Sequence, residues 1–194
     1  MKVIDVIKDT CTYLQMEEEL EYVLSYNVDT NKFDLEPNSV DVSKNLNLLL
    51  KCVNLVLNTI VSEYVNLKDC TYLVSNNCRI KYEDVTSNNI VKIVSVENDN
   101  KKVAFSDFGS EICVEKDDKY KVTYLYTLEN VDFSDDVSII KFPCKSIAYG
   151  VASEYLYINK LYDDASVWDV RFKNSMLNLL QNKKHRFIKP RRWF

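Results

Sequence analysis

Glycine is nearly absent from this chain. Of 194 residues only Gly109 and Gly150 are glycine, which excludes the Gly-rich loops that cradle nucleotide phosphates. Histidine occurs once, as His185 near the C-terminal end, so a Ser-His or Cys-His pair has no imidazole elsewhere to draw on. The six cysteines form no C-x-x-C pair, which argues against a zinc site, and their scatter suits buried free thiols better than a disulfide framework. No apolar run approaches the ~18 residues that would read as a membrane span, and acids interrupt the start of the chain where a signal peptide would be apolar. The expected protein has no catalytic residues, no metal, no cofactor and no membrane contact, and is made in the cytoplasm.

Apolar residues are plentiful and their spacing sets the fold class. Ile4, Ile7, Cys11 and Leu14 make one helical stripe; Met16, Leu20, Val23 and Leu24 make another out of phase with it, which predicts two helices broken near Gln15. Glu17, Glu18, Glu19 and Glu21 read as a solvated face at the start of the second helix. Asn27 to Asn38 reads as a loop. A long helix follows, capped by Asp41 or Ser43 and running to about Tyr64. Its face of Leu46, Leu49, Leu50, Val53, Val56, Leu57 and Ile60 is flanked by a second strip of Leu48, Cys52 and Leu55, which makes it the expected centre of the core. Asn54 and Asn58, one turn apart, could bond across to neighbours, although solvent exposure is the simpler reading.

From Thr71 to about Leu128 the period changes to two, most clearly in Tyr120, Val122, Tyr124 and Tyr126. Turn-like breaks at Asn76-Asn77, Asp99-Asn100 and Gly109 separate the runs, and the segment reads as an antiparallel meander closing into a small sandwich or barrel. After Pro143, placed in a first helical turn, Ile147, Val151, Tyr155 and Ile158 stripe one helix. Ala165, Trp168, Phe172, Met176 and Leu179 stripe the next. The link of Asn159 to Tyr162 with Asp163 as cap predicts an αα-hairpin. The predicted class is α+β: a helical bundle over 1–68 and 140–182, with an inserted β domain over 69–139. Ala148, Gly150 and Ala152 lie together on the first hairpin helix, where small side chains let a second backbone approach; they are the candidate subunit-packing residues.

Residues 183–194 form a separate tail. Lys183, Lys184, Arg186, Lys189, Arg191 and Arg192 give +6 with no acid, so the rest of the chain carries −10 within a total of −4. Phe187, Ile188, Trp193 and Phe194 interleave with these charges, and Pro190 prevents a continuing helix and biases Lys189 toward an extended conformation. Lysine, arginine and aromatic residues together could serve phosphate neutralisation and base stacking. A body at −10 favours instead an acidic groove on a protein partner.

The segments Leu49 to Asn58 and Ser62-Glu63-Tyr64, the stretch Ile147 to Tyr155, and Trp168-Asp169, Arg171-Phe172 and Arg191-Arg192-Trp193 resemble the head-to-tail connector (adaptor) proteins of tailed bacteriophages. The likeness spans nearly the whole chain in layout. It implies a structural virion protein of the neck: a homo-oligomeric ring beneath the portal protein that continues the DNA channel without specific DNA binding and presents a surface to the tail or a second neck protein. The tail residues 183–194 would be the portal-binding segment. The alternative from the residues alone is a small nucleic-acid-binding regulatory protein using the same tail.

Overall fold

The computed structural model describes residues 1–27, 30, 32–35, 40–86, 89–137 and 142–181. It is mixed α+β, with six α-helices and antiparallel sheets among the described residues, and neither larger sheet closes into a barrel. Two compact units divide the chain: Met1–Val56 with Val131–Phe194, and Leu57–Asn130. The break falls inside the long helix rather than at the anticipated 68/69 junction.

In the first unit, α1 (Val3–Leu14) buries Val3, Ile4, Val6, Ile7, Thr10 and Cys11. Gln15 ends it in the left-handed conformation at φ 56°, where the chain turns before α2 (Glu17–Leu24), so the phase break is a real break. Glu19 departs from the expected solvated face: only 8% exposed, it accepts a 2.7 Å hydrogen bond from Asn45 Nδ2. Leu24, expected on the buried stripe, is exposed. Within the anticipated loop, β1 (Tyr26–Asn27) pairs with β2 (Lys32–Phe33), held by the Phe33 ring stacked 4.5 Å from Tyr22 and edge-on to Tyr26 and Phe133.

Helix α3 (Val40–Thr59) continues into a single π-turn at Ile60–Tyr64, so it ends where its stripe ends. It begins one residue before Asp41, which therefore sits inside the first turn, and Ser43 lies deeper still; neither is the cap. Length and mean hydropathy make Val40–Tyr64 the one helix among the described residues that could cross a bilayer, yet 44% of its most apolar window is buried within the protein, as in a core helix. The most buried helix is α5 (Cys144–Ile158), with eight of its 15 residues buried against seven of 20 in α3. The cause is position. α5 packs against α1 on one side and α6 (Tyr162–Gln181) on the other, whereas the second strip of α3 is only partly covered, Leu48 half-buried and Leu55 exposed.

The hairpin forms as anticipated, turning at Lys160 with φ 64°. α6 starts at Tyr162, so Asp163 lies in its first turn instead of capping it, and Ala165 N–H donates to Leu161 O at 3.0 Å. Pro143 immediately precedes the first helical residue of α5.

Asn54 is not a solvated residue. Its Oδ1 accepts from Val131 N–H at 2.7 Å and its Nδ2 donates to Val131 O at 3.1 Å, tying the returning chain to α3. The same return pairs with the start of α1 through Val3 N–H to Asp135 O and Val137 N–H to Met1 O. Asn54→Ala leaves both Val131 groups without that partner and is expected to cost about 1–3 kcal/mol, read as a lower denaturation midpoint.

The second unit holds a four-stranded and a three-stranded sheet. The first is built from β3 (Lys68–Val74), β5 (Ile90–Asn98), β6 (Lys101–Val103) and β9 (Lys119–Tyr126), in the order β3-β9-β5-β6. The second orders β4 (Arg79–Lys81), β8 (Glu111–Cys113) and β7 (Ser106–Asp107) as β4-β8-β7, with a one-turn helix α4 (Tyr82–Val85) after β4. This is not a meander, because the last strand lies between β3 and β5. β9 earns that place with its inward row of Tyr120, Val122 and Tyr124, all at most 3% exposed. Ile80, Val85, Ile93, Val96 and Ile112 join that row in one cluster, so both sheets share a core. Asp99 and Asn100, at φ 48° and 64°, form the two-residue turn that a tight hairpin requires.

Candidate interaction surface

The tail residues 183–194, the sequence-based candidates for partner binding, lie outside the described residues. The structure describes the hairpin that leads to them. Its first helix carries Ala148, Gly150 and Ala152: both alanines are 0% exposed and Gly150 is buried among the chain's own helices. A Cβ on Gly150 would stand 2.9 Å from Val56 Cγ1 and 3.0 Å from Phe172 Cδ2. The close approach seen there is made within the chain, of α3 and α6 onto α5.

α6 is apolar on two sides. Ala165, Phe172 and Met176 are buried, facing the core. Val167, Val170 and Leu177, at 50–57% exposure, follow spacings of three and seven that place them on the opposite face. Ile158, Leu161 and Tyr162 extend the exposed apolar surface around the hairpin turn. Exposed apolar residues gathered on one helix face can mark an interaction site. The spacing was present in the sequence, but the stronger Trp168–Phe172–Met176 stripe masked it.

Beside this face an aromatic cluster joins three helices. Tyr13 of α1, Tyr149 of α5 and Trp168 of α6 stand 5.3–5.7 Å apart by ring centroids, and the Arg171 guanidinium lies 4.6 Å from the Trp168 ring centre. Burial, with Asp9 nearby and a hydrogen bond to Tyr149, pushes the Tyr13 hydroxyl up to about 12. The cluster is a rigid joint with a cation on its outer rim.

All six cysteines are free thiols, Cys11 and Cys52 are buried, and burial pushes Cys11, Cys52 and Cys144 up to about 12, so none of these three is a thiolate near neutrality. Among the described residues no group of His, Cys, Asp or Glu is arranged to hold a metal ion. Glu154 on α5 is raised above the ordinary carboxyl value of 4.5, first by burial and then by Asp169. The folded state therefore holds this proton more tightly than the unfolded chain. Its ionisation opposes folding, a cost absent below the ordinary value and present once pH exceeds the raised one. Glu154→Gln should melt at a higher temperature than the parent at pH 7, and at the same temperature near about pH 4.

The chain matches no known family model, and no curated protein sequence is significantly similar to it.

Proposed function

We propose that this chain is a structural subunit of a tailed-phage neck, a head-to-tail connector that assembles as a homo-oligomeric ring beneath the portal. The observation that carries the reading is α6, apolar on two opposite faces and leading directly into a basic, aromatic segment. In this reading the helical unit is a bundle and the two-sheet unit a sandwich, and neither performs catalysis or holds a cofactor. The Val167–Val170–Leu177 face meets a different surface of the next subunit, a heterologous contact that closes into a ring. The acidic helical unit lines a channel through which DNA passes without sticking, and the ring presents a surface to the tail or a second neck protein.

The segment Lys183 to Phe194 docks in an acidic groove of the portal protein. Arg191 and Arg192 pair with carboxylates in forked geometry, while Phe187, Trp193 and Phe194 fill apolar pockets. One copy binds weakly, because ordering it costs about 2–5 kcal/mol; a ring presents many copies, and each later contact is effectively intramolecular. A chain ending at Asn182 should fold with unchanged circular dichroism and fail to bind portal rings. Portal binding at parental strength by that truncation would reject the docking role. A tail that bound nucleic acid and no protein would put the regulatory reading, which rests on the same basic aromatic composition, in its place.

A further inference from the structure

Charge in the second unit is segregated by face. Between residues 57 and 130 there are nine Lys and Arg and twelve Asp and Glu. Five of those nine, Lys68, Lys92, Lys102, Lys119 and Lys121, lie on the outer face of the four-stranded sheet. The register fixes this: Lys121 stands opposite Tyr72 on one side and Glu97 on the other, and Glu97 stands opposite Lys102, so one row crosses all four strands. Lys68 and Lys92 flank Leu125 in a second row, and Lys119 lies opposite Val74 in a third. Two irregularities in β5 keep Ile93 and Val96 both facing the core while Lys92, Ser95 and Glu97 face outward. Glu97 is the single carboxylate within these rows, with Asp69 at their border.

The lysines are uncommitted. Among the described residues none of the five lies in an ion pair, and Lys119 rests over the Tyr72 ring at 5.8 Å. Between Lys68, Lys102 and Lys121 is an open hollow of about 410 Å³ lined also by Thr123, by Asp69 and Glu97, and by Ser95, whose hydroxyl donates to Glu97 at 3.5 Å. Asp99 and Asp118 stand beside Lys119 and Lys121 in a neighbouring hollow, so the five lysines outnumber the four carboxylates at this face by one.

We infer that this sheet face binds the phosphate backbone of a nucleic acid without sequence preference, independently of the basic tail and of the neck assignment. Charge complementarity requires a polyanion. The choice between phosphate and an acidic protein follows from residue type: the face holds five lysines and no arginine, point charges suited to phosphate, whereas carboxylate pairing across a protein interface favours the planar arginine fork. The lysines also spread over four strands, an area that tracks a backbone rather than a pocket that grips a side chain.

The test is binding of a fluorescent mixed-sequence DNA duplex to the full chain, followed by anisotropy at 50 and 200 mM salt. Lys68→Ala/Lys102→Ala/Lys121→Ala should bind at least about tenfold more weakly at the lower salt and reduce the slope of log affinity against log salt by about 2–3. The corresponding triple Lys→Arg variant, which keeps the charges and guards against a folding artefact, should bind like the parent. Neutralising the six tail cations should leave the slope difference between parent and triple-alanine proteins intact. Equal affinity and slope for parent and triple-alanine proteins would overturn the inference, as would binding abolished by the tail variant alone. Parental binding to a poly-glutamate peptide with none to the duplex would assign the face to an acidic protein and overturn it too.

Discussion

Gly150→Leu is expected to unfold the helical unit, and Gly150→Ala to destabilise it by about 1–3 kcal/mol. Alanine in place of glycine inside a helix ordinarily stabilises by about 1 kcal/mol, so the sign depends on which effect is larger at this site. The new Cβ would lie 2.9 Å from Val56 Cγ1 and 3.0 and 3.1 Å from two carbons of the Phe172 ring. Both neighbours are themselves buried, at 3% and 6% exposure, so neither can swing into solvent. Moving them means moving α3 or α6, and overpacking therefore exceeds the propensity gain. Leucine adds three further carbons with nowhere to go. Thermal melts of the two variants against the parent read the effect directly; an alanine variant that melts above the parent would show that the helices separate cheaply.

Val122→Asp is expected to abolish the second unit's fold. Val122 is 0% exposed on the central strand β9, between Thr71 on β3 and Val96 on β5, in the cluster that both sheets share. A carboxylate there has no partner, and burying an unpaired charge belongs to the small class of substitutions costing more than about 4 kcal/mol. The unit has its own core, so its tyrosine near-ultraviolet signal should be lost while most helical signal at 222 nm remains. A single cooperative loss of both signals would show that the two units stand or fall together.

What the sequence made legible followed local periodicity. The break at Gln15 was visible as a phase jump between two stripes, and the αα-hairpin as two stripes with too short a link for anything else. What escaped depended on partners distant in the chain. α5 looked less central than α3 because Ala148, Gly150 and Ala152 carry little hydropathy, although small size is what lets two helices close on it. Alternation marked β9 as a strand without saying that it would sit between β3 and β5, since strand order is a choice among non-local pairings. The lysine face was invisible for the same reason: its five residues come from four strands and converge only through register. Asn54 and Glu19 read as solvent-facing because polarity alone cannot distinguish a hydrated side chain from one with a buried partner. Within the candidate interaction surface, the outer stripe of α6 was hidden behind the stronger Trp168–Phe172–Met176 spacing, and the docking role of residues 183–194 rests on composition and resemblance.

Mass measurement of the purified protein, alone and mixed with a portal ring, tests the proposed ring most directly. Mixing should yield a discrete complex heavier than the portal by one fixed multiple of 22.7 kDa, and Val167→Asp/Val170→Asp should prevent it. A chain that remains at 22.7 kDa in both samples, with the portal's mass unchanged, would contradict it.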